Sequence, residues 1–155
     1  MKFDDLLARI KDSEPFVIII EGVSRKAVFC ASYYTEHYPD EEYYKVFFDD
    51  GTMLEIMPSA ESLFFCDDIR RKIDRSSITD FGEYLNIDGK KYLLTNYNDE
   101  QYVKKVYFGD NNREGECVFS EYGFANEVWS LAVLGDGSVS DIHMRKISIM
   151  DIGLK

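Results

Sequence analysis

Residues Tyr43 to Met57 have the sequence YYKVFFDDGTMLEIM, and they set the architecture that we expect for the whole chain. Two runs of aromatic and branched side chains, which favour β-strands, are joined here by Asp50-Gly51. This dipeptide suits a two-residue type I′ turn, because glycine adopts a positive φ without steric cost. The stretch therefore predicts an antiparallel hairpin in which Phe48 pairs with Met53, and its two largely apolar faces predict an interior position.

The same dipeptide occurs twice more, as Asp88-Gly89 and Asp136-Gly137, and each instance predicts another hairpin with a two-residue turn. Around these hairpins, runs rich in branched and aromatic residues predict further strands. These strands are expected at residues 16–20, 26–33, 101–108 and 116–122.

Two helices are expected to accompany the sheet. Near the amino terminus, apolar side chains recur at i, i+3, i+4 and i+7, which predicts an amphipathic helix over residues 3–12. A similar spacing between Leu63 and Ile73 predicts a second helix near residues 60–75.

These elements predict a single domain, residues 1–155, of the α+β class with mainly antiparallel β-structure. A chain of this length supplies one hydrophobic core of ordinary size. We therefore expect a roll or partly open barrel of about eight to ten strands, with the N-terminal helix and the second helix packed on it.

Charge and cysteine content exclude several classes of function. The chain carries 29 acidic and 18 basic residues, and its net charge of -11 repels nucleic-acid backbones, so no direct nucleic-acid binding is expected. No apolar run approaches the length of a membrane span, so we expect a cytoplasmic protein without a membrane partner. Cys30, Cys66 and Cys117 are far apart and form no metal-ligand motif, which predicts reduced thiols and neither a metal site nor a cofactor.

The third hairpin supplies the candidates for catalysis. With a two-residue turn at Asp136-Gly137, Ser130, Asp141 and His143 share one face of the hairpin, and the opposite face forms core. A hydroxyl, a carboxylate and an imidazole are the groups of a nucleophile, its orienting acid and its base, which would suit a hydrolytic or small-molecule-binding β-barrel. A solvated sheet face that carries no chemistry explains the same three residues.

A cluster of tyrosines beside acidic residues supplies the candidates for partner binding. Such rings with polar tips are typical of protein interfaces, although they can also line a core with their hydroxyls at its rim. The cluster consists of Tyr33, Tyr34, Tyr38, Glu41 and Tyr43. Because the chain has no P-loop, nucleophile elbow or HExxH motif, the sequence favours a non-catalytic protein, such as an acidic inhibitor or immunity-type protein that covers a basic partner.

Overall fold

A computed structural model describes residues 1–75, 82–110 and 115–155. Within these ranges the chain forms one α-helix, α1 (Phe3–Lys11), close to the prediction of residues 3–12, and eleven strands. The strands are β1 (Val17–Ile20), β2 (Val23–Thr35), β3 (Tyr43–Phe48), β4 (Met53–Met57), β5 (Ser62–Cys66), β6 (Tyr84–Ile87), β7 (Lys90–Phe108), β8 (Cys117–Phe124), β9 (Glu127–Leu134), β10 (Val139–Ile147) and β11 (Ile152–Leu154). In this described part of the chain, no helix has the length and apolar character needed to cross a lipid bilayer.

Eight of the strands close into an antiparallel barrel. They follow the order β2-β3-β4-β5-β10-β9-β8-β7, and β7 pairs back with β2, where Cys30 lies opposite Phe108. The mainly antiparallel class is therefore confirmed, but the expected roll or partly open barrel is not confirmed, because the barrel is closed. Closure depends on the 19-residue strand β7, whose pairing with β8 shifts register twice between Leu94 and Asp99. Such bulges bend a strand, and here the two halves of β7 contact different neighbours.

The predicted second helix near residues 60–75 is not confirmed. Ser62–Cys66 is strand β5, which pairs with β4 on one side and β10 on the other, and residues 67–74 have no regular secondary structure apart from a bend and a turn at residues 67–70. Both faces of β5 are covered, since Leu63 and Phe65 pack in one core cluster and Cys66 packs in another. A strand that is apolar on both faces also places apolar residues at helical spacing, which explains the error.

The three Asp-Gly hairpins use two different turns. At Asp88-Gly89 both residues have positive φ, of 52° and 78°, and Ile87 pairs with Lys90, so the predicted two-residue turn is confirmed. At residues 50–51 only the glycine has positive φ, and Phe47 rather than Phe48 pairs with Met53. The predicted register of this hairpin is therefore wrong by one residue.

The shift has a local cause in the side chain of the aspartate. The Asp50 carboxylate accepts hydrogen bonds from the Thr52 backbone N–H at 3.1 Å and from the Thr52 hydroxyl at 2.6 Å. Asp136 accepts the equivalent pair from Ser138, at 2.9 and 2.6 Å. These bonds stabilise a three-residue loop that ends on a glycine with positive φ, which is the second common hairpin connection.

Two apolar clusters lie on the two sides of the barrel wall. On the outside, α1, β1 and β11 cover the wall through buried residues such as Leu6, Ile10 and Ile18. On the inside, a cluster that includes Phe29, Phe47, Met53, Cys66 and Met144 fills one half of the barrel. The other half of the interior contains a smaller apolar cluster of Cys117, Phe119 and Ala132, and the candidate site lies beside it.

Candidate functional site at the open end of the barrel

The barrel is open at one end, where a cavity of about 360 Å³ enters its interior. The rim consists of the end of β2, the following loop at residues 36–42, the turn after β4 and the middle of β7. The residues that line the cavity are Thr35, Tyr38, Glu41, Glu42, Tyr43, Glu55, Met57, Ser59, Thr95, Asn96, Phe119 and Glu121. Of these twelve residues, four are glutamates and none is basic.

Three charged side chains lie near one another inside the barrel, two glutamates that line the cavity and a lysine just beyond its lining. Lys45 on β3 and Glu55 on β4 lie directly opposite each other in the antiparallel ladder, and both are buried. Glu121 lies on β8, four strands further round the ring of eight, so its side chain enters the interior from the opposite wall. The site therefore contains one cation and two carboxylates.

This arrangement changes the acidity of one carboxyl group. Burial and the neighbouring charge of Glu55 raise the pKa of Glu121 to about 7, although Lys45 acts in the opposite direction. Glu121 is half-buried, and the described residues form no hydrogen bond with its carboxylate. Glu121 can therefore change its charge near neutral pH in response to what enters the cavity.

The rim is held in place by a buried carboxylate on β7. Asp99 accepts hydrogen bonds from the backbone N–H of His37 and from the side-chain amide of Asn96, both at 2.9 Å. In addition, Nδ1 of the His37 ring lies 2.8 Å from the side-chain oxygen of Asn96. These contacts fix the 36–42 loop against β7, so the rim has a defined shape before any ligand arrives.

The catalytic candidates do not meet in the structure. The third hairpin has the register Ile142 opposite Ser130 and His143 opposite Trp129, one residue away from the predicted register. Ser130 therefore faces the barrel interior, whereas Asp141 and His143 lie on the outer face. The cause is again the three-residue loop, because a shift of one residue moves each side chain to the other face.

Asp141 and His143 have partners on the outer wall. Asp141 is buried and accepts hydrogen bonds from Arg75 at 2.6 and 3.1 Å. His143 stacks on Trp129 with ring centroids 4.7 Å apart, and its Nε2 lies 2.9 Å from Glu127. These contacts attach residues 71–75 and the β9–β10 hairpin to each other.

The tyrosine cluster is divided between the interior and the rim. Tyr33 and Tyr43 are buried in the barrel, stack with centroids 5.6 Å apart, and the Tyr43 hydroxyl donates to Gln101 at 2.6 Å. Tyr34 stacks on Tyr102, while Tyr38 and Glu41 are exposed on the rim. The five residues therefore do not share one outward surface, and Tyr38, Glu41 and Tyr43 line the cavity instead.

Sequence reasoning missed the three charged residues that lie near one another inside the barrel. A signal for two of them was present, because Lys45 and Glu55 each stand between apolar residues in the middle of a strand that is otherwise apolar on both faces. A charged residue at such a position is almost never buried without a partner. The position of Glu121 had no comparable local signal.

We expect Glu121→Gln to make the protein more stable than the wild type at pH 8. In the folded wild type the pKa of Glu121 is about 7 against an ordinary value of 4.5, so the folded state holds a proton that the unfolded state has released. The wild type therefore loses free energy of unfolding as the pH rises from about 4.5 to about 7, whereas the glutamine variant does not. The expected advantage of the variant is about 1–3 kcal/mol at pH 8 and none at pH 4.

Urea unfolding of both proteins between pH 4 and pH 8 measures this difference. The matched control is Glu41→Gln, which removes the same group from the exposed rim and should follow the wild type. A Glu121→Gln protein that is no more stable than the wild type at pH 8 would show that folding does not raise the pKa of the Glu121 carboxyl group.

Comparisons with known protein families, with characterised proteins and with solved structures found no match to this chain. Among the residues that the structure describes, no three His, Cys, Asp or Glu side chains are grouped so as to hold a metal ion. A functional assignment therefore depends on the geometry of the barrel itself.

Proposed function

We propose that this protein is a non-catalytic binding protein that holds a small molecule in the open end of its barrel. The observation that supports this function is the cavity of about 360 Å³, which continues between the walls of a closed barrel. Its volume falls within the range of small-molecule sites, roughly 300–1,000 Å³. An eight-stranded barrel is also just wide enough to enclose one small ligand.

The lining of the cavity combines the two kinds of surface that such sites use. Tyr38, Tyr43, Met57 and Phe119 offer apolar and aromatic surface, and hydroxyl, amide and carboxylate groups alternate with them. Apolar area supplies affinity, while a few fixed polar groups orient the ligand. The lining contains no imidazole and no thiol that could act as a base or nucleophile, which favours binding over catalysis.

The sequence also suggested an acidic inhibitor or immunity-type protein that covers a basic partner. The net charge of -11 and the exposed rim residues Tyr38 and Glu41 still support that hypothesis. Tyr33 and Tyr43 do not support it, because both are buried and cannot provide the accessible surface that a protein partner would contact. The cavity therefore favours a small ligand over a protein surface.

Screening of a small-molecule library by two-dimensional NMR tests the proposal. We expect compounds that shift the amide signals of cavity residues such as Thr95 and Phe119, and we expect Met57→Trp to weaken their binding at least about ten-fold by filling the mouth. The matched control is Met150→Trp, because Met150 is 88% exposed outside the cavity and its replacement should leave binding unchanged.

Two results would contradict this function. One is a library in which no compound shifts the signals of cavity residues. The other is unchanged binding in Met57→Trp. If small molecules fail but polylysine binds in a salt-sensitive way that Tyr38→Ala removes, the inhibitor hypothesis replaces the proposed one.

A further inference from the structure

We infer that the ligand of this cavity carries a protonated amine, which lies between the Glu121 and Glu55 carboxylates, with an apolar or aromatic body in the outer part of the cavity. The inference rests on the proposed function and names the chemical class of its ligand. It follows from the charges, the hydrogen bonding and the ring surfaces of the cavity.

The first step is the balance of charge inside the barrel. Lys45 is the cation that faces the lumen, and it lies opposite Glu55 on the neighbouring strand. Glu121 stands on the far wall, and its carboxylate accepts no hydrogen bond from the described residues. One further positive charge would therefore balance the site, and a carboxylate aimed into a cavity provides a strong charge-assisted acceptor for it.

The second step is the excess of carboxylates over cations around the cavity, where Lys45 beside the lining faces four lining glutamates. None of the twelve lining residues is basic, and two more glutamates, Glu41 and Glu42, stand nearer the rim. The Glu42 carboxylate already accepts from the Tyr44 hydroxyl at 2.7 Å and pairs with Lys104 at 3.2 Å. The field inside the cavity therefore attracts cations and repels anions, and Glu121 is a carboxylate in the barrel interior that a ligand can engage.

The third step concerns the body of the ligand. The rings of Tyr38, Tyr43 and Phe119 and the thioether of Met57 surround the route to the two inner carboxylates. Aromatic faces attract ammonium groups as well as apolar surface. A volume of about 360 Å³ suits an amine of moderate size better than a bare metal ion.

Three probes with the same body and different head groups test the inference. Phenethylamine, 2-phenylethanol and phenylacetate present an ammonium, a hydroxyl and a carboxylate on one aromatic ring. Binding is followed by NMR shifts of cavity amides at pH 7.5. We expect the amine to bind about ten-fold or more tightly than the alcohol, and phenylacetate to bind least.

Two variants separate the role of Glu121 from general charge. Glu121→Gln should weaken phenethylamine about ten-fold and leave 2-phenylethanol unchanged, because the amide keeps the shape of the side chain and loses its charge. Glu14→Gln, at an exposed position before β1 and outside the cavity, should change amine binding by less than about three-fold. A thermal unfolding curve of each variant confirms that it is folded.

The outcomes distinguish the inference from the function on which it rests. If the alcohol or the carboxylate binds as tightly as the amine, or if Glu121→Gln binds the amine normally, the ligand class is wrong while the binding function stands. If none of the three probes shifts the cavity signals but library compounds do, the ligand class is wrong and the binding function stands. If neither the probes nor the library compounds shift them, the proposed function fails together with the inference.

Discussion

Gly109→Ala is expected to lower the free energy of unfolding by about 3–5 kcal/mol. Gly109 has a φ of 90°, in the region that residues with a Cβ rarely adopt. An added Cβ would overlap the carbonyl oxygen of Val28 and lie 2.8 Å from Cα of Phe29. Both obstacles are backbone atoms of β2, so no side chain can move aside to relieve the contact.

The Gly109 substitution tests how closely β7 and β2 approach each other where the barrel closes. Gly109 directly follows Phe108, whose pairing with Cys30 belongs to the seam between β7 and β2 that closes the barrel. A loss of several kcal/mol would show that the two strands approach as closely as the structure describes. The measurement is the midpoint of urea unfolding, followed by tryptophan fluorescence.

Gly137→Ala is the matched control for backbone strain. Gly137 has nearly the same φ, 85°, but nothing lies within 4 Å of an added Cβ. Its substitution should cost only the strain of the left-handed conformation, about 1–2 kcal/mol. Equal losses in the two variants would mean that strain alone explains the effect, and the close approach of β7 to β2 would be disproved.

Hairpin positions could be predicted from this sequence, but their register could not be predicted from Asp-Gly alone. The residue after the glycine distinguishes the two turns. Thr52 and Ser138 carry hydroxyls that bond to the preceding aspartate, whereas Lys90 does not, and only Asp88-Gly89 forms the two-residue turn. Because one residue of register exchanges the faces of a strand, this small chemical difference decided where Ser130 and His143 point.

Barrel closure and the candidate site could not be predicted from local sequence patterns. The seam joins residues such as Cys30 and Phe108 that are far apart in the chain, and no hairpin turn specifies that pairing. Glu55 and Glu121 meet only because their strands stand on opposite walls of the closed ring. A pattern read along one strand can show that a charged residue will be buried, but not which residue faces it.

Lys45→Met is expected to destabilise the protein by about 3–5 kcal/mol at pH 8, because removal of one member of a buried charged group leaves the others uncompensated. Methionine matches the length and the apolar stem of lysine, so the change removes the ammonium and little packing. The ammonium lies 5.3 Å from the centre of the Tyr33 ring and faces Glu55 across the ladder. Without it, the described residues that face the interior beside Glu55 and Glu121 include no cation.

The pH dependence of this loss identifies its cause. Lys45 lowers the pKa of Glu121, so its removal should raise that pKa further and extend the range in which the folded state retains a proton. A group with a raised pKa in the folded state contributes stability at low pH that disappears as the pH rises through that value. The deficit of Lys45→Met should therefore be largest at pH 8 and should shrink toward pH 4.

Two further variants make the test specific for buried charge. Lys45→Met combined with Glu55→Met should recover most of the stability, because a well-packed apolar pair often replaces a buried ion pair at little cost. Lys26→Met, on an exposed position of β2, should change stability by less than about 0.5 kcal/mol. A deficit of Lys45→Met that does not vary with pH would contradict electrostatic contact with the carboxylates. The balance of charge between Lys45, Glu55 and Glu121, from which an ammonium group was inferred for the ligand, would then lose its physical basis.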